Sequence, residues 1–363
     1  MSEEPKRATL ARAARLIPLL TLSAALWLPA CTSEDGVTEL SARASAAQGA
    51  MEEYRAVDLG TLGGQLSVAN DINSAGKVVG LSQSADGTNH AFLWEKGVMT
   101  DLGTLPGGIS NDVATGINPG GQVVGNIPGS DVDDQRAFLW KNGAMITLGA
   151  LDGGTYTDAR DINPAGLVVG MSYASGGPFR AFLWDKGTMT SLGTLPGDIS
   201  SFATAINAAG EIVGYSVDAD GRTSAFLWKK GVMTDLGTLG GNSAAHGINS
   251  RGQIVGVSET PDGSEHAFLW EKGAMTDLGD FTPFDINAAG QIAGHKSVPE
   301  LHTNHAVVWT NGVLTDLGTL GGSYSVAHAI DARGRVVGMS YTIAGEPRAT
   351  LWVPRGGKLR RVE

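Results

Sequence analysis

The chain has 363 residues, with 26 Lys and Arg against 37 Asp and Glu and a formal net charge of −11 at pH 7. So acidic a surface repels phosphate, which argues against a nucleic-acid partner; the one basic run, at residues 355–361, reads as a solvated terminal strand. Cys31 is the only cysteine, so a disulfide framework is excluded.

Residues 1–30 read as an address. Lys6, Arg7, Arg12 and Arg15 form a positive start, and residues 16–28 are apolar but too short to span a bilayer comfortably. Leu28-Pro29-Ala30-Cys31 closes the segment with small residues before the cysteine. It resembles a bacterial lipoprotein signal, which implies cleavage before Cys31, diacylation of its thiol and acylation of the new amino terminus. The alternative is an ordinary secretory signal cut near Ala44-Ser45-Ala46, well beyond the apolar stretch. Residues 31–53 lack the hydrophobicity to order themselves and read as a tether. Thr32 stands where an Asp would signal inner-membrane retention in enteric bacteria, so an outer-membrane or cell-surface location is expected, with a periplasmic or secreted protein as the other case. The membrane is met only through the lipid.

From Asp71 onward the chain repeats one module seven times. A segment ending in Ile-Asn is followed by a Gly turn, Val-Val-Gly, a variable loop and Ala-Phe-Leu-Trp. The tryptophans are Trp94, Trp140, Trp184, Trp228, Trp270, Trp309 and Trp352, and we number the repeats one to seven by them. A period near 43 residues signals an array of supersecondary units.

Repeat two serves as the type. Residues 112–117 alternate as a first strand and end in Asn118-Pro119-Gly120-Gly121, which suits a type I turn. Residues 122–125 form a second strand with adjacent valines, a sign of burial on both faces. After the variable loop, residues 137–140 form a third strand, Lys141-Asn142-Gly143 turn it, and residues 144–149 form a fourth. Phe138 and Trp140 should face one way, Ala137 and Leu139 the other.

Four short antiparallel strands per repeat, apolar on both faces, predict an all-β, seven-bladed β-propeller occupying residues 54–363. Tyr54–Gly60 carries the fourth-strand signature ahead of any first strand, while residues 358–362 form a poor copy at the other end. The N-terminal strand is therefore expected to complete the last blade and close the ring.

The combination of Asp-Leu-Gly-Thr-Leu-Gly-Gly, Ile-Asn-x-x-Gly and Ala-Phe-Leu-Trp resembles the HAF-repeat family of predicted extracellular bacterial proteins. Its name is spelled at His90-Ala91-Phe92 and His266-Ala267-Phe268. The resemblance covers residues 54–362 and implies no established activity. Departures are His305-Ala306-Val307 and Arg348-Ala349-Thr350.

No residue breaks the repeat as a recognisable nucleophile, metal set or phosphate cradle, so neither a cofactor nor a metal is expected. His295, His302 and His305 form the best local histidine cluster. Asp131–Asp134 and Asp218-Ala219-Asp220-Gly221 lack the downstream Glu of a calcium loop and read as solvated turns. The variable set lies two residues before each Ile: Asn70, Thr115, Arg160, Thr204, His246, Phe284 and His328, with Asp71, Asp161 and Asp285 one position along. On innermost strands these would line a central channel, either as a binding site or merely as pore filling.

The leading expectation is a lipid-anchored extracytoplasmic binding or scaffold module for an envelope or extracellular ligand, a glycan or a protein. The alternative is a polysaccharide lyase or glycoside hydrolase with its site in the channel, in which Arg160, His246, His328 and nearby Asp residues converge. A purely structural envelope protein would have no ligand.

Overall fold

The computed structural model describes residues 53–105, 111–129, 134–173 and 177–355. The expected signal, Cys31, nearly all of the tether and residues 358–362 lie outside the described residues, as does most of the Asp131–Asp134 loop.

Repeat two is a four-stranded antiparallel meander of Val113–Ile117, Val123–Pro128, Gln135–Lys141 and Ala144–Thr147. Repeats one and three to six have the same strand order. The second strand runs three residues further than expected. The fourth stops two short, because Gly149 adopts φ 78° and turns the chain away.

The Asn turn forms for the reason its composition suggests. In repeat one, Gly76 N–H donates to Asn73 O at 2.9 Å, and Asn73 Oδ1 accepts from the Ala75 and Lys77 N–H groups at 3.0 and 3.1 Å. Gly76 takes φ 86°, which only glycine adopts without cost. The glycine of Val-Val-Gly has another cause. The first strand bulges between Ala69 and Asp71, and a Cβ on Gly80 would stand 2.0 Å from Val68 O.

Each third strand feeds two interfaces. Ala137 and Leu139 pack with Val124 against Ala159, Val168 and Phe182 of repeat three. Phe138, with Trp140 beside it, packs with Val123 against Val79 and Ala91 of repeat one. The Phe of repeats one to five is wholly buried, so its truncation to Ala would cost about 3–5 kcal/mol.

The sheet of repeat seven takes its fourth strand from the other end of the chain. Tyr54–Asp58 pairs antiparallel with Pro347–Pro354, Ala56 lying opposite Trp352. Leu59 N–H donates to Ala349 O at 2.9 Å, the bond that Leu102 N–H makes to Ala91 O within repeat one. Trp352 is 0% exposed as a result. First strands pack against first strands in series, and that of repeat one also packs against Gly321–Ile330.

Candidate functional site: the inner strands

Two sets of side-chain bonds lace the first strands together. The turn Asn is the first. Asn73 Nδ2 donates to Asn118 O at 3.1 Å, Asn118 to Asn163 O, Asn163 to Asn207 O, Asn207 to Asn249 O, Asn249 to Asn287 O, and Asn287 to Asp331 O. The amide oxygen thus shapes its own turn while the amide nitrogen holds the next.

The variable set forms the second. Asn70 Nδ2 donates to Ala114 O at 2.8 Å, Thr115 Oγ1 to Ala159 O at 2.8 Å and Thr204 Oγ1 to Ala245 O at 2.9 Å. His246 Nδ1–H donates to Pro283 O at 2.7 Å, and His328 Nδ1–H to Ala69 O at 2.8 Å, joining repeat seven to repeat one. Burial holds both imidazoles below their ordinary pKa, so they are neutral donors. Five of the expected channel residues therefore carry an inter-repeat bond. That structural role was not legible in their types, which share only a donor at a similar reach.

Asp71, Asp161 and Asp285 clasp backbone. Asp71 accepts from Ile72 N–H and, in the next repeat, Ile117 N–H, both at 2.7 Å. Asp161 bridges Ile162 to Ile206 and Asp285 bridges Ile286 to Ile330 in the same way. The equivalent residues elsewhere are Gly116, Ala205, Gly247 and Ala329, so no two adjacent repeats carry the acid. Burial raises all three carboxyls. Asp71 is pushed up to about 8, with Asp161 and Asp285 reinforcing burial, and Asp161 to about 6.

Arg160 and Phe284 leave the lace. Arg160 Nη2 pairs with Asp158 Oδ2 at 2.9 Å; Asp158 Oδ1 accepts from Asn126 Nδ2 at 3.0 Å, and Asn126 Oδ1 accepts from Ala159 N–H at 2.8 Å. Asp158 is buried where other repeats place Val68, Val113, Phe202, Ala244 or Val326. Beside it runs an aromatic cluster: Tyr156 stacks on Tyr173 at 5.4 Å, Phe179 touches both edge-on, and Phe202 and Tyr215 stack at 4.8 Å. Burial pushes the Tyr215 phenol up to about 12, with Arg160 and Asp158 close enough to act on it. On the other side of the inner surface, Phe284 lies 6.0 Å from His246, 5.4 Å from His295 and 5.9 Å from His328, ring centre to ring centre. Burial lowers His295 to about 4, with His328 and His246 adding to it.

The expected convergence of Arg160 with His246 and His328 is not formed, because Arg160 is taken by Asp158. Nor do His295, His302 and His305 meet. His305 Nδ1 pairs with Asp316 Oδ2 at 2.7 Å, which raises the imidazole, and His302 caps a short turn at φ 48°. His90 and His266 sit like His305, 3.2 and 2.9 Å from Asp101 and Asp277. Among the described residues no three His, Cys, Asp or Glu side chains form a metal-binding group. The residues missed in the sequence are Asn126, Asp158, Tyr156, Tyr173, Phe179, Phe202 and Tyr215, while His295 reads there only as part of a histidine cluster and not as a neighbour of Phe284. Several could have been found as breaks in the repeat, Asn126, Tyr215 and His295 standing directly after the Val-Val-Gly position where Leu81, Met171, Val257 and Met339 are apolar.

Comparison with solved structures places this arrangement. The β-propeller domain of the Trilobed protease from Pyrococcus furiosus, described as having an open velcro topology, superposes with a TM-score of 0.53 at 9% identity, over 79% of this chain and 95% of that one. Two further likenesses are a prolyl endopeptidase (TM-score 0.54, 12% identity, 89% and 56% coverage) and a puromycin-hydrolysing peptidase of Mycobacterium tuberculosis (0.51, 15%, 81% and 50%). The chain spans about half the length of those two peptidases. No family model matches the sequence, and no curated protein does. The likenesses show the fold: the chain is a β-propeller built of four-stranded antiparallel sheets.

Proposed function

We propose that this chain is a lipid-anchored, extracytoplasmic binding module of the HAF-repeat kind: a seven-bladed propeller, closed by its N-terminal strand, that holds an envelope or extracellular glycan or protein. The pairing of Tyr54–Asp58 with Pro347–Pro354 and the bond from His328 to Ala69 support the closed ring. The observation that carries the binding role is the concentration of repeat-breaking side chains on the inner ends of repeats two to four, where Asn126, Asp158 and Arg160 meet partly exposed Tyr156 and Phe179. Recognition residues held on a rigid repeat scaffold are the usual way such a fold binds. A glycan, peptidoglycan and envelope-protein array probed with the purified protein tests it. The double variant Asp158→Val, Arg160→Thr, which installs the pair found at Val113 and Thr115 and leaves no unpaired buried carboxylate, should lose the captured ligand while keeping its melting temperature within a few degrees, and an array on which both proteins give the same signal sinks the reading.

A second reading, a polysaccharide lyase or glycoside hydrolase, draws on His246, His295 and His328 around Phe284, imidazoles kept neutral and so able to accept a proton. Release of unsaturated or reducing sugar ends from acidic polysaccharides, lost in His295→Ala, would favour it over binding alone.

A further inference from the structure

The residue four places after each turn Asn covers the turn Gly of the next repeat. Lys77 lies over Gly121, Gln122 over Gly166, Glu211 over Gly252, Gln253 over Gly290, Gln291 over Gly334 and Arg335 over Gly76. Each of these covers is long and polar, and Gln122, Glu211, Gln253, Gln291 and Arg335 also bond their own turn Asn or Asp. Repeat three alone supplies a leucine. Leu167 Cδ1 stands 3.9 Å from where a Cβ on Gly210 would be, and its side chain offers no hydrogen bond to the turn Asn163. Beside it lies a groove of about 480 Å³ between repeats three and four, on the face of the tight turns and therefore opposite the variable loops.

The groove joins three chemistries. Its apolar surface is Leu167 and the half-buried indole of Trp228, with the bare backbone of Gly210 between. Its acceptor is Glu211, whose Oε1 takes Lys229 Nζ at 2.5 Å and whose Oε2 takes Asn207 Nδ2 at 2.7 Å; each oxygen keeps a further lone pair. Its cations are Lys229 and Lys230, and Lys230, held at φ 52° in the turn, makes no ion pair among the described residues. A flat apolar face with hydrogen-bonding groups along one rim matches a pyranose ring, which offers C–H bonds to an aromatic face and hydroxyls to its edge. Two ammonium groups against one carboxylate leave a positive site on a chain of net charge −11, which selects a ring bearing an acid. We infer that this groove is a binding site for a uronic-acid residue of an acidic glycan, separate from the inner-strand site proposed above.

The repeats themselves supply test variants that the fold tolerates. Leu167→Gln installs the cover used by repeats two, five and six, and Lys230→Asn the left-handed turn residue found at Asn142 and Asn311. The full-length protein is titrated calorimetrically with a galacturonate trisaccharide and with the neutral galactose trisaccharide. The acidic sugar should bind and the neutral one more weakly by at least about tenfold, one charged contact's worth. Leu167→Gln and Lys230→Asn should each weaken the acidic sugar by roughly tenfold at unchanged melting temperature, and the double variant Asp158→Val, Arg160→Thr should leave it alone. Absence of binding, equal binding of the two sugars, or wild-type binding by both groove variants overturns the inference. Binding lost in that double variant but kept in the groove variants would place the sugar on the inner strands, overturning this site and leaving the inner-strand reading intact.

Discussion

Arg335 Nη2 donates to Ser74 O at 3.3 Å, a bond between residues 261 apart in sequence. It stands where the Asn lace would otherwise fail. Repeat seven has Asp331 at the turn position, which shapes its turn through Oδ1 but has no amide hydrogen to offer repeat one. Arg335 Nε binds Asp331 Oδ2 at 2.7 Å, and the far end of the guanidinium reaches across the junction instead. Removing Arg335 as Arg335→Ala should therefore cost about 3–5 kcal/mol by chemical denaturation, since the buried Asp331 carboxylate loses its partner. The double variant Asp331→Asn, Arg335→Gln restores the pairing used by repeats two, five and six, and should recover most of the loss. A double variant no more stable than Arg335→Ala would show that the junction does not work as the other six do.

The three clasping carboxylates make stability fall as the medium becomes alkaline. Asp71 titrates from 3.8 to about 8 on folding, burial being the larger cause and Asp161 and Asp285 the next. The folded protein therefore keeps a proton that the unfolded chain has released, and stability declines as pH rises from about 4 to 8. Asp71→Asn keeps one acceptor oxygen and loses the other, so it should melt lower than wild type at pH 5. Its melting temperature should change less between pH 5 and 8, because the titrating group is gone and its repulsion on Asp161 and Asp285 with it. Parallel melting profiles for the two proteins would refute the coupling.

Deleting residues 54–60 removes the strand opposite Trp352 and uncovers the edge of Pro347–Pro354. An exposed edge beside a newly wetted indole favours aggregation. A chain lacking these residues should melt at least about ten degrees lower or precipitate, the loss of one buried large aromatic in a single domain being worth several kcal/mol. Equal melting temperatures would argue against a ring completed by the N-terminal strand.

The anchor is tested at Cys31. Cys31→Ser should move the protein from the membrane to the soluble fraction, because each buried acyl methylene contributes about 0.8 kcal/mol and an acidic domain adds no attraction to an anionic membrane. Membrane-free wild-type protein on cell fractionation would remove the lipid-anchor proposal.

What could be read from the amino acids depended on whether a residue acts within its own repeat. Asn118, Gly121, Phe138 and Trp140 have a role inside their own repeat, in turn geometry or strand alternation, beside the contacts that Asn118 and Phe138 make to neighbouring repeats, and that local role alone fixed their placement by spacing. Asn70, Thr115 and His328 act on carbonyls one repeat away, and the shared role is hidden because an amide, a hydroxyl and an imidazole all deliver a hydrogen to the same point. Asp158 was hidden for the opposite reason: nothing in a lone acid at an apolar position tells that Asn126 and Arg160 have arrived to satisfy it. Leu167 was the least legible, since a leucine among valines looks ordinary until six polar counterparts are seen over six glycines.

The Asn bonds all run one way, from each repeat's side chain to the main chain of the following repeat. Copies one to six thus each bring one donor for the successor, and copies two to seven one acceptor for the predecessor. Tandem duplication or loss of a whole copy would leave no bond unmatched between the remaining copies, so the number of copies can drift in a lineage without new contacts having to be invented. The junction of Asp331 and Arg335 with Ser74, like the pairing of Tyr54–Asp58 with Pro347–Pro354, is tied to a particular place in the gene, and it marks where such an array has its seam.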